Sequence, residues 1–207
     1  MKEMLDFFKE GGSAMWPILG CSLWGISIII ERAYFLLYRS RVNARRFMDV
    51  MVKYINAGLY DQALKICTDS TAPLPKICKV ILLKHKESER SIQDAVDEVA
   101  LVEIPLLNKR THYLGMLANT STLLGLLGTI FGLISAFKAV AIASAAQKAM
   151  FLAKGISVAM NTTAFGLCVG IPCLVFYSIF QGYTEKIIND IDECSVKLIN
   201  LIILRQR

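Results

Sequence analysis

Small and hydroxylated side chains recur at helical spacing within two uncharged stretches of this chain. In the first stretch they follow one another at intervals of three or four residues, and five of them therefore share one face of a helix: Thr122, Gly125, Thr129, Gly132 and Ala136. The second stretch carries a similar stripe: Ala159, Thr163, Gly166 and Gly170. A hydroxyl donates and accepts hydrogen bonds without carrying a charge, so a face of this kind can pass protons or water through an apolar medium.

The same residues also fit a purely structural interpretation. Small side chains let two helix backbones approach closely, and a buried Thr hydroxyl can bond the carbonyl one turn back in its own helix. We assign the packing role to five glycines, which include two G-x-x-x-G pairs: Gly125, Gly128, Gly132, Gly166 and Gly170. For Thr122, Thr129 and Thr163 both interpretations remain open at this point. Asn161 lies on a neighbouring face, where we expect a hydrogen bond to another helix or a place along the polar path.

Three stretches without Asp, Glu, Lys or Arg must position these residues: 15–30, 111–137 and 155–184. A hydrocarbon core of roughly 30 Å takes about 20 helical residues, so the second and third stretches are long enough outright. The first reaches that length by continuing past Glu31 and Arg32 to residue 38. Because lipid offers no partners to backbone polar groups, these spans must be helical. With 55% hydrophobic residues and a mean hydropathy of +0.49, the sequence predicts an all-α, polytopic membrane protein with three transmembrane helices.

The predicted organisation has seven segments. They are an N-terminal periplasmic segment 1–14, a first span 15–38, a cytoplasmic helical loop 39–110, a second span 111–137, a periplasmic turn 138–154, a third span 155–184 and a cytoplasmic C-terminal helix 185–207. The loop carries 13 Lys and Arg against 9 Asp and Glu, so the positive-inside rule places it in the cytoplasm together with the C-terminus. The second and third transmembrane helices are expected to extend into a cytoplasmic helical bundle.

Within the loop, apolar spacing predicts short helices at 44–57, 61–67 and 76–85. Ser91 is predicted to be an N-cap, because an acidic residue stands three positions further on, in an arrangement close to a capping box. The helix that begins there is expected to run toward the second span and to kink at Pro105.

Composition disfavours several other functions. The six cysteines contain no C-x-x-C pair and are expected to be reduced thiols that serve packing. His85 and His112 are far apart and have no Cys or carboxylate at ligand spacing, so no metal site, cofactor or enzyme site is predicted. Acidic residues dilute the net charge of +6, which argues against a nucleic-acid partner. The first 14 residues carry five charges, so no cleavable signal peptide is expected.

The three spans also lack any acidic or basic residue far from an interface. The chain by itself therefore has no group that could pick up and release a proton within the membrane. If it conducts ions in a coupled way, a partner must supply the carboxylate.

Four segments together resemble a known family. They read MWPILGCSLWGISIIIER over 15–32, GLYDQAL over 58–64, LLGLLGTIFG over 123–132 and GISVAMNTTAFGLCVGIP over 155–172. In this order, and with three spans in these places, the chain resembles the ExbB/TolQ/MotA proton-channel subunits of energised inner-membrane motors. The resemblance covers nearly the whole chain.

The resemblance implies a homo-oligomeric ring, a pentamer, in the bacterial inner membrane around the single-span helices of an ExbD/TolR-type partner whose intramembrane aspartate carries the proton. Thr129 and Thr163 match the pore-lining threonines that the family has in its second and third spans. Proton flow would then drive periplasmic or outer-membrane work through a TonB/TolA-like protein, such as TonB-dependent import or Tol-Pal envelope maintenance. A scaffold that assembles the partner without conducting protons is the alternative.

Two positions depart from the family pattern. Val158 stands where the ExbB and TolQ branches usually carry a glutamate, so an acidic residue of the ring itself has no place in the expected proton path. Thr122 stands where a proline commonly precedes the LLGLLGT run, which predicts a straighter second helix. Flagellar stator subunits generally have four spans, whereas this chain has three, so the ExbB/TolQ type is favoured.

Overall fold

The computed structural model of the protein describes residues 12, 14–40 and 42–206. Seven α-helices form this part of the chain: α1 (Met15–Tyr34), α2 (Ala44–Asn56), α3 (Tyr60–Thr68), α4 (Pro73–Leu83), α5 (Glu89–Asn108), α6 (Thr111–Ile142) and α7 (Ala145–Gln206). A π-helical turn, Phe35–Arg39, follows α1 directly. Nearly all of the predicted N-terminal segment 1–14 lies outside the described residues.

Three helical runs are long and apolar enough to cross a membrane: Met15–Tyr38, Glu89–Ile142 and Ala145–Arg205. No strand occurs among the residues that the structure describes. The predicted fold class, an all-helical membrane protein with three spanning helices, is therefore confirmed.

The turn predicted over 138–154 is helical except at Ala143 and Ser144. Seven of its seventeen residues are alanine, the strongest helix former, so the segment favours helix on both sides of the break. The Ser144 carbonyl accepts from the backbone N–H groups of Gln147 and Lys148 at 2.9 and 3.2 Å, which starts α7.

The predicted N-cap at Ser91 is wrong, because Ser88 holds that position. Helix α5 begins at Glu89, and Ser88 Oγ accepts a hydrogen bond from the backbone N–H of Ser91 at 3.4 Å. The Ser91 hydroxyl instead donates to the Glu87 carboxylate. Ser88 is favoured because its side chain reaches the third N–H of the helix, the usual geometry of a serine cap.

The chain divides into two compact units. The first comprises residues 1–30 and 110–178, and the second comprises residues 31–109 and 179–207. In the first unit, α6 buries residues at intervals of three and four that alternate as far as Gly132: Leu114, Ala118, Ser121, Gly125, Gly128, Gly132 and Ala136. On α7 the same alternation buries Ala159, Thr162, Gly166, Val169 and Cys173. This 3.5-residue period is that of helices packed nearly in line along a shared seam.

The second unit has a core of large apolar side chains. Fully buried members come from α2, α4, α5 and the end of α7: Met51, Ile55, Ile77, Ile81, Ile92 and Leu198. Three buried thiols lie among them. Burial raises the pKa of Cys67 and of Cys194 to about 11, and burial together with the two neighbouring thiols raises the pKa of Cys78 well above its usual value.

The C-terminal end of α5 is capped from two other segments of the second unit. The Arg32 guanidinium donates to the carbonyl oxygen of Leu107, and the Thr184 hydroxyl donates to the same oxygen at 3.4 Å. The last carbonyls of a helix have no partner within it, so these donors satisfy a buried group. The interruption between α5 and α6 falls at Lys109 and Arg110, after Pro105, and Arg110 adopts a left-handed φ of 63°.

Candidate functional site

The contact between α6 and α7 brings two of the predicted packing glycines against opposing backbone. A Cβ added at Gly125 would lie 3.1 Å from the Thr162 carbonyl oxygen and 3.2 Å from the Thr163 Cα. A Cβ added at Gly166 would lie 2.6 Å from the Ser121 carbonyl oxygen and 3.0 Å from the Gly125 Cα. A side chain at Gly166 would push the two helices apart, and one at Gly125 would be in tighter contact with the opposing backbone than is usual.

The other three predicted glycines lie along the same contact. Gly128 packs against the Thr162 side chain, Gly132 against Ala159, and Gly170 against the Thr122 hydroxyl and the Ala118 carbonyl. Gly155 also belongs to this contact, since it faces Ala136. Because it stands four residues before Ala159, the spacing of the third-span stripe could have identified it.

Thr163 connects the two helices through a hydrogen bond. Its Oγ1 donates to the Gly125 carbonyl oxygen at 3.1 Å, and the side chain is half-buried. The acceptor belongs to a glycine that meets the opposing backbone, so the hydroxyl bonds across the contact instead of back along its own helix. Of the predicted polar residues, Thr163 is the one that bonds from one span to the other.

Thr129 and Thr122 donate within α6 instead. Thr129 Oγ1 bonds the Leu126 carbonyl oxygen at 2.6 Å, and Thr122 Oγ1 bonds that of Ala118 at 3.0 Å. Thr129 is half-buried and Thr122 is exposed. Each follows a buried residue, Ser121 or Gly128, by one position, which is about 100° around a helix. The two threonines therefore lie at the edge of the buried line, beside Gly125, Gly132 and Ala136, which are buried.

Two buried hydroxyls were missed by the sequence reasoning. Thr162 is 1% exposed and its Oγ1 donates to the Ala159 carbonyl oxygen at 2.8 Å. Ser121 is fully buried and its Oγ donates to the Ala118 carbonyl oxygen at 3.0 Å. The alternation of three and four through Ala159, Thr162 and Gly166 could have identified Thr162. A four-residue step from Ala159 to Thr163 led instead to its half-buried neighbour.

Asn161 and Val158 occupy less enclosed positions of α7. Both are half-buried. The Asn161 amide makes no hydrogen bond to the described residues, in contrast to the threonines around it. Val158 places an apolar side chain, which cannot carry a charge, on this part of α7.

The threonine hydroxyls at this contact have one chemical property in common. Each has a single proton to donate, and in Thr129, Thr162 and Thr163 that proton is directed at a backbone carbonyl. The lone pairs of the oxygen remain available as acceptors. Stretches 111–137 and 155–184 contain no ionisable acid or base apart from His112, cysteine and tyrosine. The half-buried hydroxyls can accept a hydrogen bond from a proton carrier, but the spans do not themselves provide a carboxylate.

Metal binding finds no support in the part of the chain described above. His, Cys, Asp and Glu side chains there form no group of three or more that could hold an ion. The contact between α6 and α7 is built from neutral hydroxyls, glycines and backbone carbonyls.

Comparison with known proteins identifies a family and several relatives that this chain is similar to. Residues 69–193 match the MotA/TolQ/ExbB proton channel family. The chain is 30% identical over 173 residues to a Synechocystis protein named as biopolymer transport protein ExbB-like 3, an alignment covering 83% of this chain and 82% of the relative. It is 25% identical over 189 residues to biopolymer transport protein exbB1 of Vibrio cholerae, covering 90% and 82%. The Tol-Pal system protein TolQ of Haemophilus influenzae matches over 76 residues at 38% identity, covering 37% and 33%.

Proposed function

Because this chain belongs to the MotA/TolQ/ExbB proton channel family, we propose that it is the polytopic subunit of an ExbB/TolQ-type inner-membrane motor driven by the proton motive force. The observation that carries the proposal is the contact between α6 and α7, where hydroxyls lie on spans free of acidic side chains. Thr163 bonds across that contact to the Gly125 carbonyl, and Thr129 lies half-buried at its edge.

The proton carrier in this proposal belongs to a partner. A single-span protein of the ExbD/TolR type would bring an intramembrane aspartate to the hydroxyls of this chain. A protonated carboxyl can donate to the lone pairs of Thr129 and Thr163, which stabilises the neutral acid inside the membrane. Thr122 and Asn161 extend the polar path on the same two helices. Val158 supports a path that uses the partner's carboxylate alone.

The assembly in this proposal is a homo-oligomeric ring, a pentamer, that surrounds the partner's helices. The exposed surface of a single chain supports an assembly in lipid, because large apolar side chains cover α6 away from the α7 contact: Leu123, Leu126, Ile130, Phe131 and Phe137. In a membrane such a surface is covered by lipid or by neighbouring copies. Helix α1 also contacts both helices, since Gly25 lies against Cys173 and Trp24 stacks on Tyr113, and the exposed apolar faces that remain can meet these partners.

The orientation follows from the charges. The excess of Lys and Arg in 39–110 supports a cytoplasmic loop and C-terminus with the N-terminus in the periplasm.

The membrane potential supplies enough free energy for the proposed work. Each proton that crosses releases about 2.3 kcal/mol per 100 mV of membrane potential, so the free energy from several protons exceeds the cost of repacking a small helix contact. The proposed work is import or envelope maintenance through a TonB/TolA-like protein, and the relatives are named as biopolymer transport proteins and as a protein of the Tol-Pal system.

Purification of the tagged chain from its native membranes in mild detergent, followed by mass spectrometry, tests the proposal. We expect a small single-span protein with an aspartate in its span to co-purify in a fixed ratio. A bare oligomer, or a partner whose span lacks a carboxylate, would remove the proton carrier and contradict the motor. A partner that co-purifies but supports no proton uptake in vesicles would identify a scaffold instead.

A further inference from the structure

A cavity of about 520 Å³ lies in the second unit, between the end of the first spanning helix, the start of α2 and the middle of α7. Cavities of this size bind small organic ligands. Its polar and charged wall comes from Ser40, Asn43, Arg45, Tyr183, Lys186 and Asp190. Leucine, valine, isoleucine and alanine residues form the rest of it.

The cavity lies where two apolar stretches of the sequence end. The first stretch closes at Arg39, one residue before Ser40, and the third closes at Thr184, two residues before Lys186. Tyr183, with 45% of its surface exposed, is the kind of side chain that occupies the headgroup level of a bilayer. Any ligand in this cavity therefore sits at the depth of lipid headgroups, with the apolar wall leading toward the acyl chains.

Three features of the wall favour an anion. Arg45 and Lys186 supply two positive charges. Helix α2 begins at Ala44, and Asn43 caps it by accepting from the Arg46 N–H at 3.3 Å, so the N–H groups of Ala44 and Arg45 are left without a helical acceptor. Free N–H groups and a helix dipole both attract a phosphate group.

Ser40 gives independent support for a ligand. This residue lines the cavity and is only 4% exposed, yet its Oγ has no hydrogen-bond partner among the described residues. It also lines a smaller neighbouring cavity of about 240 Å³. Buried hydroxyls are nearly always paired, so we expect a water or a ligand atom to complete the pairing of this one.

The balance of charge indicates which headgroup fits. Arg45 and Lys186 outweigh the single carboxylate, Asp190, and no ion pair joins it to either cation among the side chains described. The wall therefore carries one net positive charge. We propose that this cavity binds the phosphodiester of an anionic glycerophospholipid such as phosphatidylglycerol, with Arg45, Lys186, the start of α2 and Ser40 as donors. This inference rests on the assignment of the chain to a membrane and not on proton conduction.

Native mass spectrometry of the delipidated full-length protein tests the site. The protein is incubated with phosphatidylglycerol and phosphatidylcholine of identical acyl chains, and bound lipid is counted per chain. We expect one phosphatidylglycerol, held roughly tenfold more strongly than phosphatidylcholine, because both lipids carry the phosphodiester but the positive wall repels the ammonium of choline. Equal retention of both lipids, or of diacylglycerol without phosphate, would overturn the proposal. Inorganic phosphate in large excess should leave the lipid bound, and its displacement would identify a soluble anion as the ligand.

Matched variants assign the lipid to this cavity. In Arg45→Gln/Lys186→Gln, we expect bound phosphatidylglycerol to fall roughly tenfold, as the loss of charged donors implies. Arg46→Gln removes the adjacent exposed charge, which does not line the cavity, and should bind as the unchanged protein does. Ser40→Ala is a second variant that removes one donor and leaves the charges in place. It should lower lipid retention without lowering the thermal midpoint of the lipid-free protein. Retention unchanged in both Ser40→Ala and the double variant would overturn the site.

Discussion

The contact between α6 and α7 and the bundle of α2 to α5 are packed in opposite ways. In the contact the backbones themselves meet, and a Cβ at Gly166 would lie 2.6 Å from a carbonyl oxygen of the opposing helix. In the bundle, large apolar side chains fill the space between helices, as Met51, Ile77 and Ile81 do without any exposed surface. One chain therefore contains a helix contact made mostly of glycine and other small residues and a bundle core made mostly of large apolar side chains.

The physical reason lies in the medium. Lipid tails are as apolar as leucine, so helices in a bilayer gain little from burying large side chains and associate through close contact and hydrogen bonds. In water the removal of apolar surface is itself the driving force. The comparison implies that adding volume damages the first region and that removing volume damages the second.

The largest effect is expected from Gly166→Val. Its side chain would clash with the Ser121 carbonyl oxygen and the Gly125 Cα, which are backbone atoms that cannot move aside. Overpacking of this kind belongs to the most destabilising class of substitution. We expect the yield of monodisperse protein on fluorescence-detected size exclusion to fall by at least about tenfold.

Gly20→Val is the matched control for that substitution. Gly20 lies on α1, and no atom lies within 4 Å of a Cβ added there. The two variants share the same change of side chain and of helix propensity, so only the contact differs. Equal yields from both variants would mean that the approach of α6 to α7 is not what limits folding.

The next effect is expected from Ile81→Ala in the bundle. Ile81 is fully buried, so truncation leaves a cavity and should lower the free energy of unfolding by about 2 to 5 kcal/mol. Chemical denaturation of the full-length protein in detergent, followed by circular dichroism, measures the change. Leu83→Ala, at a position of the same helix with 59% of its surface exposed, should stay close to the unchanged protein. A similar loss in both variants would count against a tightly packed bundle.

A smaller effect concerns alkaline pH. Burial raises the pKa of the Cys67 thiol from 9.0 to about 11 in the folded bundle. The unfolded thiol ionises near its ordinary pKa while the folded one stays protonated, so the contribution of Cys67 is fully present below pH 9 and is lost as the pH rises toward 11. We expect Cys67→Ala to reduce the fall of the unfolding free energy over this range by at most about 1 kcal/mol per pH unit.

The unchanged protein, measured over the same pH range, is the reference for this slope. If Cys67→Ala leaves the slope between pH 9 and 11 unchanged, the thiol of Cys67 is not shielded from water in the folded bundle.

The smallest effect on stability is expected from Thr163→Val. The substitution removes the hydrogen bond to the Gly125 carbonyl and keeps the shape of the side chain. Hydrogen bonds between helices in a membrane contribute about 0.6 kcal/mol on average, so assembly and thermal midpoint should change little. A loss as large as that of Gly166→Val would show that Thr163 is mainly a structural residue of the contact.

The spans and the helix faces that meet can be predicted from the sequence, but which hydroxyl is buried and which residue caps α5 cannot. Uncharged length and glycine spacing identify the spans and the stripes that meet between α6 and α7. Spacing alone does not separate Thr162 from Thr163, because an offset of one residue, about 100° around the helix, decides which is buried, and the partner helix fixes that offset. Arg32 looks like an interfacial charge in the sequence, yet it is 3% exposed and caps α5. That role depends on a carbonyl 75 positions away, which no local pattern contains.

The function proposed above requires hydroxyls on these spans to accept a hydrogen bond from a protonated carboxyl that a partner supplies. Proton uptake by vesicles that contain this chain with its co-purified single-span partner tests it, in the unchanged protein, in Thr163→Val and in Thr163→Ser. We predict that the valine variant assembles normally but takes up protons at the background rate, whereas the serine variant, which restores a hydroxyl, retains most of the uptake. Uptake by the valine variant equal to that of the unchanged protein would contradict the claim.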